Sequence, residues 1–118
     1  MAVWGAGERI QSEVSRWPGI TCAAHRFGGI EFRLGKREVG HVHGDSLVDV
    51  PLPKRVRDEL VESLQADPHH MLPESGWVSV FLQKAGDVER AIEILRRSYE
   101  IARGQKARQA AHKPGVGI

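Results

Sequence analysis

Most of the histidines in this chain fall where they could act together chemically. His41 and His43 are one residue apart in a stretch that predicts a β-strand, so their side chains share a face about 7 Å apart. Asp45 follows in a predicted turn, and His69 and His70 lie in a loop that could fold over the strand. Imidazoles at this spacing can share a metal ion, or one can orient a ligand while another accepts a proton.

Three interpretations of His41 and His43 stay open. They are structural residues with hydrogen-bond partners at a sheet end, or they form a metal-free site beside an apolar ligand, or they bind a metal. The metal interpretation is the least favoured, because the chain has no HExxH or CxxC motif and no paired-carboxylate spacing. We therefore expect no metal and no other cofactor.

The neighbouring turns predict which side chains share a face with these histidines. Gly35-Lys36 suits a two-residue hairpin turn, because Gly fits the first central position of a type II′ turn. Gly28-Gly29 can connect the preceding strand in the same way, or it can form a bulge. The resulting apolar face collects His25, Phe27, Ile30, Phe32, Leu34, Val39, His41 and His43. The reverse face collects two opposite-charge pairs, Arg26 with Glu31 and Arg33 with Glu38.

The remaining hydrophobic pattern predicts the elements that hold these hairpins. Helices are predicted at 8–17, 53–64 and 87–104, and strands at 20–27, 30–34, 37–43, 47–50 and 77–82. Gly86-Asp87 is the predicted N-cap of the last helix, and Gly104 is its predicted end. Tight hairpins imply antiparallel pairing, so the predicted class is α+β, with a single antiparallel sheet of four to five strands whose apolar face is covered by the helices.

The bulk properties indicate one domain at residues 1–104 and a basic, disordered tail at 105–118. The chain has 118 residues and a net charge of only +2, and residues 103–113 carry four basic residues and no acidic residue. A broad nucleic-acid surface is therefore not indicated. Cys22 lies among apolar residues and is expected to be a small buried side chain. No signal peptide or membrane span is visible, so a cytoplasmic location is expected.

Three longer motifs resemble the luciferase-like domain family, which includes the fungal bioluminescence luciferase. They are HRFGGIEFRLGKREVGHVHGD at 25–45, DVPLPKRVRDEL at 49–60 and HHMLPESGWVSV at 69–80. A shorter likeness, GWVSVFLQ with SYEIA, resembles the end of MmcQ/YjbR-type α+β domains. The first resemblance implies an oxygenase that adds O₂ to an enolic or aromatic compound without a metal or flavin. The family's recurrent polar positions fall here on His25, His41, His43, Asp45, His69 and His70, with Trp77 beside them.

Three functional hypotheses follow. In the first, the chain is an oxygenase in which His41 or His43 takes a proton from the substrate, aided by His25, Asp45 and His70. The expected substrate-binding residues are Phe27, Phe32, His69 and Trp77. In the second hypothesis, the same pocket binds a small ligand or a partner protein without catalysis. The third and least favoured is a nucleic-acid contact through the basic tail. The sequence predicts neither the natural substrate nor the oligomeric state.

Overall fold

Three helices and six strands make up the part of the chain that the structure, a computed structural model, describes: residues 2–25, 28–69 and 71–111. Met1, Arg26, Phe27, His70 and the last seven residues lie outside it. The helices are α1 (Ala6–Val14), α2 (Lys54–Glu62) and α3 (Ala85–Ala111). The strands are β1 (Ile20–Ala24), β2 (Ile30–Leu34), β3 (Arg37–His43), β4 (Leu47–Pro51), β5 (Asp67–Pro68) and β6 (Trp77–Phe81).

The strands form one antiparallel sheet in the order β1-β2-β3-β4-β6-β5. The predicted α+β class with a single antiparallel sheet is therefore confirmed. The sheet has one strand more than predicted, because Asp67-Pro68 pairs with β6 where the sequence predicts a loop. None of the described helices is both long enough and apolar enough to cross a bilayer.

One face of the sheet, the inner face, forms the core with the helices. Val48 and Val50 on β4 and Val78 and Val80 on β6 are buried, and they alternate along their strands with side chains on the outer face. Helices α1 and α3 pack on the inner face and on each other. Their buried side chains include Ile10, Val14, Leu95 and Tyr99. The Val-x-Val spacing thus leaves Asp49 and Ser79 on the outer face.

A β-bulge between β2 and β3 overturns the predicted grouping of the histidines. Leu34 pairs with Arg37 and Arg33 with Glu38, as predicted, but Phe32 then pairs with Gly40, and Val39 is the extra residue. Beyond the bulge Glu31 pairs with His41, where the two-residue turn predicts Ile30. A one-residue shift moves every later side chain to the other face. His41 and His43 therefore lie on the outer face with the charged residues.

The first hairpin also has a different register from the predicted one. Ala24 pairs with Ile30 and Ala23 with Glu31, and the His25 N–H donates to the Gly29 carbonyl. The predicted two-residue loop with Phe27 opposite Ile30 is therefore wrong, because five residues separate the paired positions Ala24 and Ile30. Since Glu31 lies on the outer face, Ala23 and His25 lie there too. The predicted apolar surroundings of His25 are therefore wrong.

Three further predictions are corrected. Helix α3 continues through Gly104 to Ala111, because an isolated Gly weakens a helix by only about 1 kcal/mol. The α3 helix begins at Ala85, so Asp87 lies in its first turn and is not the N-cap. Cys22 is exposed, since it lies on the edge strand β1. Burial of part of the side chain still raises the pKa of its thiol.

Candidate functional site

The outer face of the sheet carries a cavity of about 870 Å³. Its floor consists of charged and imidazole side chains from β1 to β4, and its rim comes from the loop before β6 and from β6 itself. The lining residues are Ala24, His25, Glu31, Arg33, Glu38, His41, His43, Asp49, His69, Met71, Leu72 and Trp77. Met71 and Leu72 are exposed apolar side chains. The cavity therefore joins a polar floor to an apolar rim.

Asp49 lies at the centre of the floor and is only 1% exposed. Its Oδ2 atom is 3.1 Å from His41 Nε2, 3.2 Å from His43 Nε2 and 3.5 Å from His69 Nε2. Its Oδ1 atom accepts a 2.7 Å hydrogen bond from the Ser79 hydroxyl on the neighbouring strand. Burial alone would raise the pKa of Asp49, but the hydrogen bonds from His41 and Ser79 hold it well below its ordinary value.

His41 lies between two carboxylates. Its Nδ1 atom is 2.5 Å from Glu38 Oε2, and its Nε2 atom is 3.1 Å from Asp49 Oδ2. Burial would lower the pKa of His41, but the hydrogen bonds to Asp49 and Glu38 outweigh this and raise it to about 9. With no metal ion bound to Nε2, the His41 ring is therefore protonated and positively charged at neutral pH.

The other two histidines of the β-strand floor pack around His41. The His25 ring stacks on the His41 ring with centroids 4.0 Å apart, and His25 Nε2 is 3.9 Å from Glu31 Oε1. The His43 ring meets His41 edge-on at 4.7 Å. Burial lowers the pKa of His43, and the positive charge of His41 lowers it further. Neighbouring imidazoles in this floor thus differ in charge.

His69 is oriented by its own loop. Its Nδ1 atom accepts hydrogen bonds from the backbone N–H groups of Met71, at 3.1 Å, and Leu72, at 3.2 Å. Since Nδ1 is an acceptor, a neutral His69 carries its proton on Nε2, the atom that points at Asp49 Oδ2. The Trp77 ring packs against both His69 and His41, with centroids 6.0 Å and 5.5 Å away.

The structure brings together most, but not all, of the predicted site residues. His25, His41, His43, His69 and Trp77 line the cavity. Phe27 and His70 lie outside the described residues.

Phe32 and Asp45 lie elsewhere in the fold. Phe32 is 0% exposed in the core on the inner face, so its predicted role as a wall of the pocket is wrong. The Asp45 carboxylate accepts the backbone N–H groups of Gly5 and Gly7 at the start of α1. This position indicates a structural role for Asp45.

The sequence reasoning missed the carboxylates of the floor. Glu31 and Glu38 are predicted only as members of opposite-charge cross-strand pairs, yet both line the cavity, and Asp49 is not among the predicted site residues. A signal for Asp49 was present, because a single Asp between Leu47-Val48 and Val50 is unusual in a buried strand. Ser79 occupies the equivalent place in Trp77-Val-Ser-Val.

Two groups of floor residues have the donor types and spacing for a metal ion. They are His41, His43 and Asp49, and His25, Glu38 and His41, and in each group one donor atom per residue lies within 4.8 Å of the others. In either group the donors are imidazole nitrogen and carboxylate oxygen, the ligands that divalent transition metals accept in proteins.

Comparison with known proteins identifies one family. The Luciferase domain family model matches residues 36–98, more than half of the chain. The matched segment contains Glu38, His41, His43, Asp49 and the whole rim of the cavity. No curated protein and no solved structure matches the chain. The protein is a member of the luciferase domain family.

Proposed function

We propose that this domain is an oxygenase that adds O₂ to an enolic or aromatic small molecule bound in the outer-face cavity. The oxygenase activity is the one implied by the resemblance to the fungal luciferase, and a cytoplasmic location is part of the proposal. The observation that carries the proposal is the two-part lining of the cavity, in which apolar Met71, Leu72 and Trp77 face a floor of histidines and carboxylates.

The size and chemistry of the cavity suit such a substrate. A volume of about 870 Å³ is in the range of small-molecule sites, which combine apolar walls with a few polar groups that set orientation. A flat, conjugated ring would lie against Trp77 and below Met71 and Leu72. Its acidic oxygen would then point toward the floor, where the Arg33 guanidinium offers hydrogen bonds to an anion.

The proposed reaction needs one proton acceptor and no electron source other than the substrate. Loss of a proton from an enolic OH or an acidic CH gives a carbanion-like anion. This anion transfers electrons to O₂ and forms one carbon–oxygen bond, which leaves a peroxide anion. The peroxide takes the proton back, so the product is the hydroperoxide, substrate plus O₂. Positioned acid–base groups accelerate such steps by about 10²- to 10⁴-fold.

We take His25 as the acceptor of this proton. Its ring lines the cavity, and Glu31 Oε1 is 3.9 Å from its Nε2 atom, so Glu31 stabilises the imidazolium that forms. At this separation the carboxylate acts through its charge and not through a hydrogen bond. His25 is therefore the proposed base, and Glu31 is the carboxylate that stabilises its charged form.

Oxygen uptake with defined compounds tests the proposal. The protein is incubated in air with a panel of 3-hydroxy-2-pyrones and hydroxylated aromatics, and products are analysed by mass spectrometry. We expect one O₂ consumed per substrate, a mass increase corresponding to two oxygen atoms, and a turnover at least about tenfold lower in His25→Gln. The control is Cys22→Ser, which changes an exposed residue of β1, the strand that ends just before His25, and it should leave turnover unchanged.

Two results would overturn the proposal. A compound that raises the melting temperature but consumes no O₂ would identify the domain as a binding module. Equal turnover in the His25→Gln variant and the wild type would remove His25 from the mechanism.

A further inference from the structure

We propose that His41, His43 and Asp49 form a binding site for one divalent first-row transition metal ion at the floor of the cavity. The inference does not depend on the proposed oxygenase reaction, because metal binding can be measured without turnover. The three donor atoms come from residues on the paired strands β3 and β4. The proposal replaces the expectation, based on sequence motifs, that the chain holds no metal.

The distances from the Asp49 donor atom to the two imidazole donor atoms are those between ligands of such an ion. Metal–nitrogen and metal–oxygen bonds of about 2.0–2.2 Å place neighbouring ligand atoms about 3.0–3.5 Å apart. Asp49 Oδ2 is 3.1 Å from His41 Nε2 and 3.2 Å from His43 Nε2. The pairing of β3 with β4 fixes these separations, because His41 and Asp49 are directly opposed and His43 lies two residues farther along the same face.

Each of two donors is oriented by a second group, as metal ligands in proteins usually are. His41 Nδ1 is 2.5 Å from Glu38 Oε2, which leaves Nε2 as the donor atom on the cavity side. Asp49 Oδ1 accepts the Ser79 hydroxyl at 2.7 Å, which leaves Oδ2 as the single carboxylate donor. These contacts fix the direction of both donor atoms before an ion arrives.

The alternative ligands fit less well. The 2.5 Å contact between Glu38 and His41 is shorter than the separation of two ligands on one ion, so this pair is a direct hydrogen bond. This hydrogen bond occupies one donor atom of Glu38 and one of His41 and so favours the His41, His43 and Asp49 group over the His25, Glu38 and His41 group. His69 carries its proton on Nε2, because its Nδ1 accepts two backbone N–H groups. It therefore donates a hydrogen bond beside the ion and does not bind it.

Two histidines and one carboxylate leave open coordination positions toward the cavity. Sites of this composition hold iron, and related ions bind the same donors. The ion would take the place of the proton on His41 Nε2, while Nδ1–H remains bonded to Glu38. The negative charge of Asp49, a side chain only 1% exposed, would offset the charge of the ion.

Titration with Co²⁺ tests the site. The untagged protein is treated with a chelator, desalted and titrated with Co²⁺, and binding is followed by calorimetry and by the visible absorption of the bound ion. We expect one ion per chain with visible bands from nitrogen ligation. The affinity should fall by at least about 100-fold in Asp49→Asn and in His43→Gln and by about 10- to 100-fold in Glu38→Gln. The control is Glu93→Gln, a change of an exposed acid outside the lining of the cavity, which should bind as the wild type does.

The variants also define the outcomes that would overturn the inference. Folded wild-type protein that gives no saturable Co²⁺ binding would do so, as would unchanged binding in His43→Gln. Loss of binding in His25→Gln with retention in His43→Gln would assign the ion to the other group. His43 is partly exposed, so its variant keeps the test valid if Asp49→Asn does not fold. Thermal unfolding of each variant shows which ones are folded.

Discussion

Asp49 is an acidic side chain held almost completely away from water in the middle of a strand. Its burial is compatible with a charge because Ser79 and the floor histidines supply hydrogen bonds to both oxygens. Burial of an unpaired carboxylate would cost several kcal/mol, and these partners remove most of that cost. The partners of Asp49 thus determine both the stability of the floor and its chemistry.

Asp49→Asn should lower the free energy of unfolding by about 1–3 kcal/mol, because the amide cannot accept hydrogen bonds with both of its ends. The measurement is urea denaturation of the chelator-treated protein at pH 7. The matched control is Asp67→Asn on the exposed strand β5, which should leave stability unchanged. Equal losses in the two variants would contradict the role assigned to the contacts of Asp49.

At the scale of the elements, the bulge in the β2–β3 hairpin decides the composition of the cavity. The turn at Gly35 and the first two residue pairs follow the predicted register, and the extra residue Val39 then shifts the register by one. Sequence alternation alone did not reveal this shift, because Val39 and Gly40 both fit next to the inner face. Gly40 packs closely against α3, since the Leu95 side chain occupies the space where a Cβ at position 40 would lie.

Asp87 stabilises the start of helix α3 through hydrogen bonds and an ion pair. The carboxylate accepts the backbone N–H groups of Gln83 and Lys84 and pairs with Arg90. Its place three residues after Lys84 is that of the acidic residue in a capping box. Burial would raise the pKa of Asp87, but these hydrogen bonds and Arg90 lower it below 3.8. The stabilisation is therefore present above pH 3.8 and is lost as the pH falls below that value.

Asp87→Asn should be less stable than the wild type by about 1 kcal/mol at pH 7, and this difference should shrink as the pH is lowered below about 4. Urea denaturation at pH 7, 4 and 2.5 measures it. Glu93→Gln, a change of an exposed acid in the same helix, is the control and should show no difference at any of these pH values. If the difference in unfolding free energy between Asp87→Asn and the wild type stayed constant from pH 7 to 2.5, the charge of Asp87 would not be the source of the stabilisation.

At the scale of the whole molecule, one buried hydroxyl ties the helical layer to the bulge. Ser98 of α3 is 1% exposed. Its hydroxyl lies 2.8 Å from the Val39 carbonyl and 3.1 Å from the Pro51 carbonyl, and it donates its one proton between them. Bulges leave backbone groups outside the ladder, so a donor from the helix supports the local geometry. The inner layer thereby helps to hold His41 and His43 on the outer face.

Ser98→Ala should lower the free energy of unfolding by about 1–2 kcal/mol, because a buried carbonyl loses its donor. Thermal or urea unfolding measures the change. Ser12→Ala on the exposed side of α1 removes the same atoms and should cost less than about 0.5 kcal/mol. If the two variants were equally stable, the contact between Ser98 and the bulge would not contribute to stability.

The sequence by itself determined the class of the fold, the approximate bounds of most elements, the family and five of the cavity residues. Local chemistry is sufficient for these, because apolar periodicity sets helices and strands, and Gly35-Lys36 sets a turn. The tertiary structure decided which face each histidine occupies and which carboxylates surround it. A one-residue bulge reverses a face, the pairing of β3 with β4 places Asp49 beside His41, and the pairing of β4 with β6 places Ser79 beside Asp49. Those contacts join residues up to 30 positions apart, so the sequence pattern of a single strand does not contain them.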